Sequence, residues 1–186
     1  MKTPKVIVPL ADGVEEMEAV IIVDTLRRAK LDVISAAIGK TKIINASRGV
    51  VLIADSMWNE IKPTDFDAII LPGGAVGCDN LIKCTALLEA LQMFDKQSKL
   101  IGAICAGPLV LQSAGILSDI KVTCHPAVAN KLTVAKRTSE RVVHAENIIT
   151  SQGPGSSFEF ALAIIKEMCG SEIADVVAAG LIMPGK

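Results

Sequence analysis

The chain has 186 residues, of which 51% are hydrophobic and 21% are charged, and its formal net charge is -1. This length suffices for a single domain over residues 1–186 with a buried core. The near-neutral charge argues against binding to nucleic acid or to anionic membranes, because proteins of both classes usually carry a basic surface. The first apolar run is too short for a signal sequence or a membrane span, so we expect a cytosolic protein.

The first half of the chain alternates short apolar runs with an amphipathic segment. "KVIVPL" (Lys5–Leu10) predicts a buried strand, and residues 14–30 predict a helix with one apolar face. Residues 31–38 predict a second strand, and residues 42–56 predict a hairpin that turns at Ser47, Arg48 and Gly49. Residues 67–74, "DAIILPGG", predict a third strand that ends in a glycine-rich loop.

The second half continues the same alternation of strands and helices. The predicted elements are a helix over 80–94, a strand over 99–104, a helix in the segment after Cys105 to about Ser113, strands in "KVTCHP" (121–126) and "NIITSQ" (147–152), and a last helix from Ser156 through Met168. The last helix begins with Ser156, Ser157, Phe158 and Glu159, the spacing of a capping box.

This alternation predicts an α/β fold in which helices cover both faces of a mainly parallel sheet. The strands are almost continuously apolar, as strands buried on both faces are. The predicted architecture is a single three-layer sandwich. Ligands of such folds bind beyond the carboxyl ends of the strands, and both "LPGGAVG" and "AICAGP" follow strands there. We therefore expect these two loops to be neighbours.

Cys105 lies at the predicted bend between a strand and a helix. The surrounding "AICAG" has small residues beside the thiol, as in the strand-to-helix turn that carries the nucleophile of α/β hydrolases. Backbone N–H groups and the following helix would favour the thiolate, so the sequence predicts a lowered pKa. The chain has an odd number of cysteines and no C-x-x-C motif, which indicates reduced thiols, and we interpret the other four as packing residues.

Gly73 and Gly74 end the strand in "LPGG". A tight turn alone would explain both glycines. Their backbone N–H groups could also bind a developing oxyanion together with the N–H of Ala106, and the two interpretations are compatible.

Glu18 and His125 are the candidate proton-transfer residues. Glu15 and Glu16 are explained as acids at a helix N-terminus, whereas Glu18 shares the apolar face of that helix and should be partly desolvated with a raised pKa. His125 follows a predicted strand at the same edge as the thiol and could act as a base or as a substrate ligand, or be structural. No spacing supports a metal site.

Five segments of the chain together resemble one family. They are "PLADGVEEMEAV", "LPGG", "AICAGP", "HP" and "TSQGPGSSFEFALAI". In combination they are similar to the ThiJ/PfpI superfamily, in the branch of the Parkinson-disease-associated protein deglycase, from about Lys5 to beyond Met168. The resemblance implies a flavodoxin-like sandwich that forms a homodimer.

The resemblance also implies the roles of site residues. Cys105 matches the oxidisable nucleophile of the family, Glu18 its protonated partner acid and His125 the nearby histidine. Gly74 and Ala106 match the backbone donors of the anion pocket. Arg48, with Arg28 from the facing subunit, matches the arginines that line this pocket near the dimer interface.

The function implied by the resemblance is a cofactor-independent, cysteine-dependent glyoxalase or protein deglycase. Its substrates would be methylglyoxal, glyoxal or early glycation adducts, and it needs no glutathione. The alternative is an oxidative-stress sensor or chaperone that acts through oxidation of Cys105. A third alternative is a cysteine peptidase or an amidotransferase-like hydrolase, which Ala106 disfavours because protease-type members carry histidine there.

Overall fold

The computed structural model describes residues 3–183, so residues 1–2 and 184–186 of the predicted domain lie outside it. The strands are β1 Lys5–Leu10, β2 Asp32–Ala37, β3 Ile43–Asn45, β4 Val51–Ile53, β5 Ser56–Met57, β6 Ala68–Leu71, β7 Leu100–Ile104, β8 Lys121–Val122, β9 Lys136–Arg137, β10 Val142–Ala145 and β11 Ile148–Ser151. The helices are α1 Glu16–Arg28, α2 Ala75–Ile82, α3 Thr85–Lys96, α4 Pro108–Ser113, α5 Ser157–Cys169 and α6 Ser171–Gly180.

The central sheet has seven strands in the order β10-β11-β7-β6-β1-β2-β5. All neighbouring pairs are parallel except β10 and β11, which are antiparallel. The chain moves outward from β1 to β2 and then returns to the other side of β1 at β6. The order of strands therefore reverses between β1 and β6, where open α/β sheets leave a crevice for ligands.

Side chains alternate along each central strand between two apolar cores. Val6 and Val8 of β1 pack with α1, α5 and α6, whereas Ile7 packs with α2, α3 and α4 on the opposite face. Strands β6 and β7 are buried at every position. The predicted α/β sandwich with a mainly parallel sheet is thus confirmed, and its apolar strands follow from burial on both faces.

Three details of the predicted elements are wrong. The helix predicted over 80–94 is two helices, because Cys84 has extended backbone angles and begins α3. Of "KVTCHP" only Lys121–Val122 forms a strand, and it pairs with β9 in a separate ladder outside the main sheet. Ser156 precedes α5, but its hydroxyl bonds to Gly153 and Ser151 and does not cap the helix.

Other elements were not predicted. Strand β10 and helix α6 are present without a prediction for either. Among residues 3–183, no helix is both long enough and apolar enough to cross a bilayer.

Candidate active site

Cys105 occupies the turn that joins β7 to α4. Its φ angle is 63°, a left-handed conformation that is uncommon for any residue other than glycine. Its N–H donates to the carbonyl of Ser151 (3.0 Å), and its carbonyl accepts from the N–H of His125 (3.0 Å). These two bonds hold the strained turn, and Cys105 is half-buried at the carboxyl end of β7.

Gly107 explains why the turn after Cys105 needs a residue without a side chain. Its N–H donates to the carbonyl of Ile104 (2.8 Å), which closes the turn. A Cβ at this position would lie 2.9 Å from the Ile104 oxygen and 3.1 Å from the Leu71 oxygen. The small-residue pattern around the thiol therefore has the geometric cause that the sequence predicts.

Glu18 and Cys105 meet above Gly73. A Cβ added at Gly73 would lie 2.5 Å from Cys105 Cβ, 2.8 Å from Glu18 Oε2 and 3.0 Å from the backbone nitrogen of Ala106. Helix α1, the loop after β6 and the turn after β7 thus converge on this point. The structure brings the predicted nucleophile and the predicted acid together, as expected for loops that follow neighbouring parallel strands.

Glu18 is fully buried, and only one of its carboxyl oxygens has a partner. The Gly73 N–H donates to Oε2 (2.6 Å). Oε1 has no hydrogen-bond partner among the described residues. Burial raises the pKa of Glu18 to about 7, whereas the Gly73 N–H and the neighbouring Cys105 thiol lower it and the Glu15 charge raises it further. The predicted raised pKa of Glu18 agrees with this environment.

The pKa of the Cys105 thiol differs from the one that the sequence predicts. Burial raises its pKa to about 12, and the charge of Glu18 acts in the same direction. The N–H groups of Gly74 and Ala106 lower the pKa, but by less. The predicted lowered pKa is therefore wrong for a thiol beside an ionised Glu18, since removing the proton would place two negative charges together in a buried site.

The N–H groups of Gly73, Gly74 and Ala106, which the sequence predicts as oxyanion donors, act on different groups. The N–H of Gly73 is used by Glu18, so it is not available to a reacting oxygen. The N–H groups of Gly74 and Ala106 act on the sulfur. Gly74 has a φ angle of 96°, and a Cβ there would lie 2.3 Å from the carbonyl oxygen of Gly13. Only glycine fits this position.

His125 is joined to the nucleophile through the backbone. Its ring Nδ1 accepts from the N–H of Ala127 (3.1 Å), which leaves Nε2 to carry the proton of the neutral ring. The half-buried ring lines an open cleft of about 210 Å³ with Arg141, Gln152 and Pro154. Nε2 can therefore donate to a molecule in this cleft.

The side chains of the two predicted arginines bond to residues of their own segments. Arg28 is exposed and pairs with Asp24 (2.6 Å) at the far end of α1, ten residues and about 15 Å of helix from Glu18. Arg48 is exposed on the β3–β4 turn, and its guanidinium contacts the carbonyl of Ser47 (3.4 Å). The prediction that a facing subunit supplies Arg28 stays a prediction.

Glu16 is a residue of this region that the sequence interpretation missed. It is only 6% exposed, and its carboxylate accepts from the Ser47 hydroxyl (2.9 Å) and from the Arg48 N–H (2.8 Å). The one feature of the sequence that could have pointed to hydrogen-bond donors for Glu16 is the turn predicted at 47–49. Within residues 3–183, no group of three His, Cys, Asp or Glu side chains is arranged to hold a metal ion.

The other four cysteines are free thiols. Cys78 and Cys124 are buried, and Cys84 and Cys169 are half-buried. Burial raises the pKa of Cys78, and the charges of Cys105 and Glu18 raise it further. A buried thiol with a raised pKa is unreactive, in keeping with a packing role.

Almost the whole chain is similar in sequence to known proteins. A family model described as the DJ-1/PfpI family matches residues 4–167. The Parkinson disease protein 7 homolog of Danio rerio is 41% identical over 98% of this chain and 99% of its own length. The Caenorhabditis elegans protein named glutathione-independent glyoxalase DJR-1.2 is 39% identical over 92% of this chain and 91% of its own length.

Some relatives are longer than this chain. Protein DJ-1 homolog B of Arabidopsis thaliana is 44% identical over 91% of this chain, which spans only 39% of that protein. Among solved structures, Drosophila melanogaster DJ-1beta superposes with a TM-score of 0.95 at 34% identity, over 99% of this chain and 100% of that one. The oxidized DJ-1 of Toxoplasma gondii superposes with a TM-score of 0.94 at 38% identity, over 98% of this chain and 100% of that one.

Proposed function

The chain belongs to the DJ-1/PfpI family, and from this premise we propose that it is a cysteine-dependent glyoxalase that needs neither glutathione nor a cofactor. The observation that carries the proposal is the buried pair of Glu18 and Cys105 above Gly73. A carboxyl with a pKa of about 7 is matched to proton transfer near neutral pH. The relative named as a glutathione-independent glyoxalase supports the same activity for this chain.

The first step uses the acidities of the pair. Ionised Glu18 takes the proton of the Cys105 thiol while the sulfur bonds to the aldehyde carbon of methylglyoxal. Glu18 then passes this proton to the former aldehyde oxygen, which gives a neutral hemithioacetal and restores the carboxylate. General-base assistance is needed because the raised pKa of the thiol leaves little thiolate at neutral pH. The N–H groups of Gly74 and Ala106, which act on the sulfur, would also stabilise the oxygen on the carbon that the sulfur attacks.

The second step converts the hemithioacetal to the thioester of the hydroxy acid. A proton leaves the former aldehyde carbon for the Glu18 carboxylate and returns from it to the neighbouring carbon, while His125, whose Nε2 carries a hydrogen, would donate a hydrogen bond to an oxygen of the intermediate. Water then hydrolyses the thioester, which releases lactate and restores the thiol. No external oxidant or reductant is consumed, since one carbon is oxidised and its neighbour is reduced.

The test is to mix the purified protein with methylglyoxal alone and to follow lactate. We expect turnover by the native chain and none by Cys105→Ala, with Cys124→Ala as the matched buried-cysteine control. Equal rates for native protein and Cys105→Ala would refute the proposal. Removal of early glycation adducts is the finer proposal, and release of free amine from a glyoxal-treated peptide tests it.

A second candidate function is oxidative sensing through Cys105. Its support is that Cys105 is half-buried whereas Cys78 and Cys124 are buried, together with the similarity to a structure of an oxidized relative. The raised pKa of the thiol argues against it, because peroxide attacks the thiolate. Peroxide titration read by intact mass separates the two, since sensing predicts two added oxygens confined to Cys105 at low peroxide.

A homodimer is the proposed assembly. Met17 and Val20 on α1, with Val51 and Ile53 on β4, are 50–76% exposed, and Val20 and Ile53 line a common cleft of about 280 Å³. An exposed apolar patch of this kind is typical of a protein interface. We expect Ile53→Asp to halve the mass measured by light scattering, whereas Val176→Asp, at an exposed position of α6, should leave the mass unchanged.

A further inference from the structure

Two buried serine hydroxyls beside the active-site turn form a chain of hydrogen bonds that the proposed chemistry leaves unused. Ser151 Oγ lies 2.7 Å from the Arg141 carbonyl oxygen and 2.7 Å from Ser156 Oγ, and the Gly153 N–H donates to Ser156 Oγ (3.1 Å). Ser151 is 0% exposed and Ser156 is 2% exposed. Buried hydroxyls need hydrogen-bond partners, and both serines have them.

The direction of these bonds follows from the groups at the two ends of the chain. The Arg141 carbonyl can only accept, so the Ser151 hydroxyl donates its single proton to it. The proton between the two hydroxyls therefore belongs to Ser156. The Gly153 carbonyl, 3.0 Å from Ser156 Oγ, already accepts from the Ser156 N–H (2.8 Å). The chain thus runs from the Gly153 N–H through Ser156 and Ser151 to Arg141, and each bond polarises the next.

This chain is joined to the active site at two places. The carbonyl of Ser151 accepts from the Cys105 N–H (3.0 Å). On the other side, a Cβ added at Gly153 would lie 3.2 Å from Cδ2 of His125, so one edge of this ring lies close to the Gly153 backbone. The opposite edge is held by the Ala127 N–H, which donates to Nδ1 (3.1 Å). The ring therefore lies between a hydrogen bond and the segment that the serine chain holds.

The contact with the His125 ring explains the glycine at position 153. Its φ and ψ angles are 164° and -169°, extended values that any residue adopts, so the backbone alone does not require glycine there. Room for the ring does require it, since 3.2 Å is shorter than an ordinary carbon–carbon contact. The segment is thus fitted to the ring in one position.

We propose that Ser156 is a positioning residue that, through Gly153, holds the His125 ring with Nε2 free to donate into the cleft. Gly153 lines this cleft together with His125. The inference rests on the function proposed above and deepens it, because it assigns the residue that fixes the hydrogen-bond donor for the intermediate. A serine that only stabilised the fold would leave the orientation of His125 unchanged.

Nitrogen NMR of protein labelled at histidine tests this orientation, since the shifts of the two ring nitrogens report which one carries the proton. Spectra are taken at about pH 8, where an ordinary histidine is neutral. The chain has two histidines, and exposed His144 is the reference in the same spectrum. The variants are Ser156→Ala, Ser156→Thr, which keeps the hydroxyl, and Ser157→Ala. Ser157 is the matched control, because it is buried at the next position and its hydroxyl has no partner among the described residues.

We expect Nε2 of His125 to carry the proton in wild type. Ser156→Ala should raise the population of the other tautomer about fivefold, the factor that one typical hydrogen bond contributes to an equilibrium. It should lower kcat with methylglyoxal by a similar factor at unchanged KM, because the bond from Nε2 forms in the intermediate. Ser156→Thr should resemble wild type, and Ser157→Ala should change neither quantity.

The inference is wrong if the His125 signals are unchanged in Ser156→Ala, if they move equally in Ser157→Ala, or if Ser156→Thr behaves like Ser156→Ala. Should Ser156→Ala not fold, Ser151→Ala takes its place, since it removes the acceptor of the Ser156 proton and keeps the bond from Gly153. Unchanged His125 signals in that variant would be equally decisive. Because the spectrum requires no turnover, a protein without glyoxalase activity could pass this test, and an active one could fail it.

Discussion

The two sides of the first turn of α1 place similar acids in opposite situations. Glu16 faces the β3–β4 turn, where each carboxylate oxygen accepts a hydrogen bond. Glu18 faces Cys105, where only Oε2 has a partner and Oε1 has none among the described residues. Both side chains are nearly or fully buried.

Their pKa values move apart. Burial acts to raise the pKa of Glu16, but hydrogen bonds from its own N–H, from the Ser47 hydroxyl and from the turn backbone outweigh burial and leave the pKa below its ordinary value. For Glu18 burial prevails, and the pKa rises to about 7. The number of donors, more than burial, decides which carboxyl stays charged and structural and which can exchange a proton.

Loss of the proton acceptor should have the largest effect. Glu18→Gln keeps an oxygen for the Gly73 N–H but cannot take a proton, so we expect kcat with methylglyoxal to fall about 10²- to 10⁴-fold. Glu16→Gln should cost far less with this neutral substrate. Lactate formation measures both, and equal losses would show that the two sides do not differ in function.

The pH profile follows from the same assignment. A general base must be ionised, and the pKa of Glu18 is raised to about 7. We therefore expect kcat/KM to be low below pH 7 and to increase as the pH is raised through 7. The rising limb should disappear in Glu18→Gln. A limb that persists in this variant would assign the titration to another group.

The free energy of unfolding should change with pH in the opposite direction to kcat/KM: it should fall as the pH rises. The unfolded chain releases the Glu18 proton from pH 4.5, while the folded chain keeps it to about pH 7, so stability falls across this window by about 3 kcal/mol. Glu18→Gln removes this loss. We expect it to be about 3 kcal/mol more stable than wild type at pH 8 and to differ little at pH 4.5, measured by urea unfolding.

Gly73 supplies a backbone donor to Glu18, and a side chain at this position should disturb both Glu18 and Cys105. The Cβ of Gly73→Ala would lie 2.5 Å from Cys105 Cβ, so we expect a loss of about 2 kcal/mol in stability together with lost turnover. Gly39→Ala is the control, since a Cβ at Gly39 meets nothing within 4 Å. Similar stability of both variants would contradict the close convergence above Gly73.

The smallest effect should come from Glu16. Its lowered pKa means that it stabilises the fold above the ordinary pKa of a glutamate and ceases to do so as pH falls through the lowered value. Glu16→Gln should therefore be less stable than wild type at pH 7, and the difference should shrink in acid. A difference that grows in acid would reverse this assignment.

Much of the fold could be predicted because the central strands are short apolar runs whose burial the sequence already expresses. The break at Cys84 could not, since the apolar residues around it keep a helical spacing and the break is visible only in backbone angles. The segment containing Cys124 has the composition of a strand, but only its first two residues pair, and they do so outside the main sheet.

The candidate site, too, has features that could be predicted from the sequence and features that could not. Cys105 and Glu18 could be identified because small residues and a carboxyl on an apolar face are local patterns. The raised pKa of the thiol could not be predicted, because it depends on the burial of Cys105 in the folded chain and on the charge of Glu18, 87 positions away. The bond from Glu16 to the β3–β4 turn was missed for the same reason, since an acid at a helix N-terminus already has a local explanation.

The φ angle of 63° at Cys105 also limits which residues can replace the nucleophile. Branched side chains such as threonine or valine are strained there, so exchange of the thiol for a secondary alcohol would fail on backbone grounds before its chemistry is tested. Aspartate and asparagine accept left-handed angles more readily. The turn is thus suited to an aspartate that imitates an oxidised sulfur, which gives a stable reference form for studies of the modified protein.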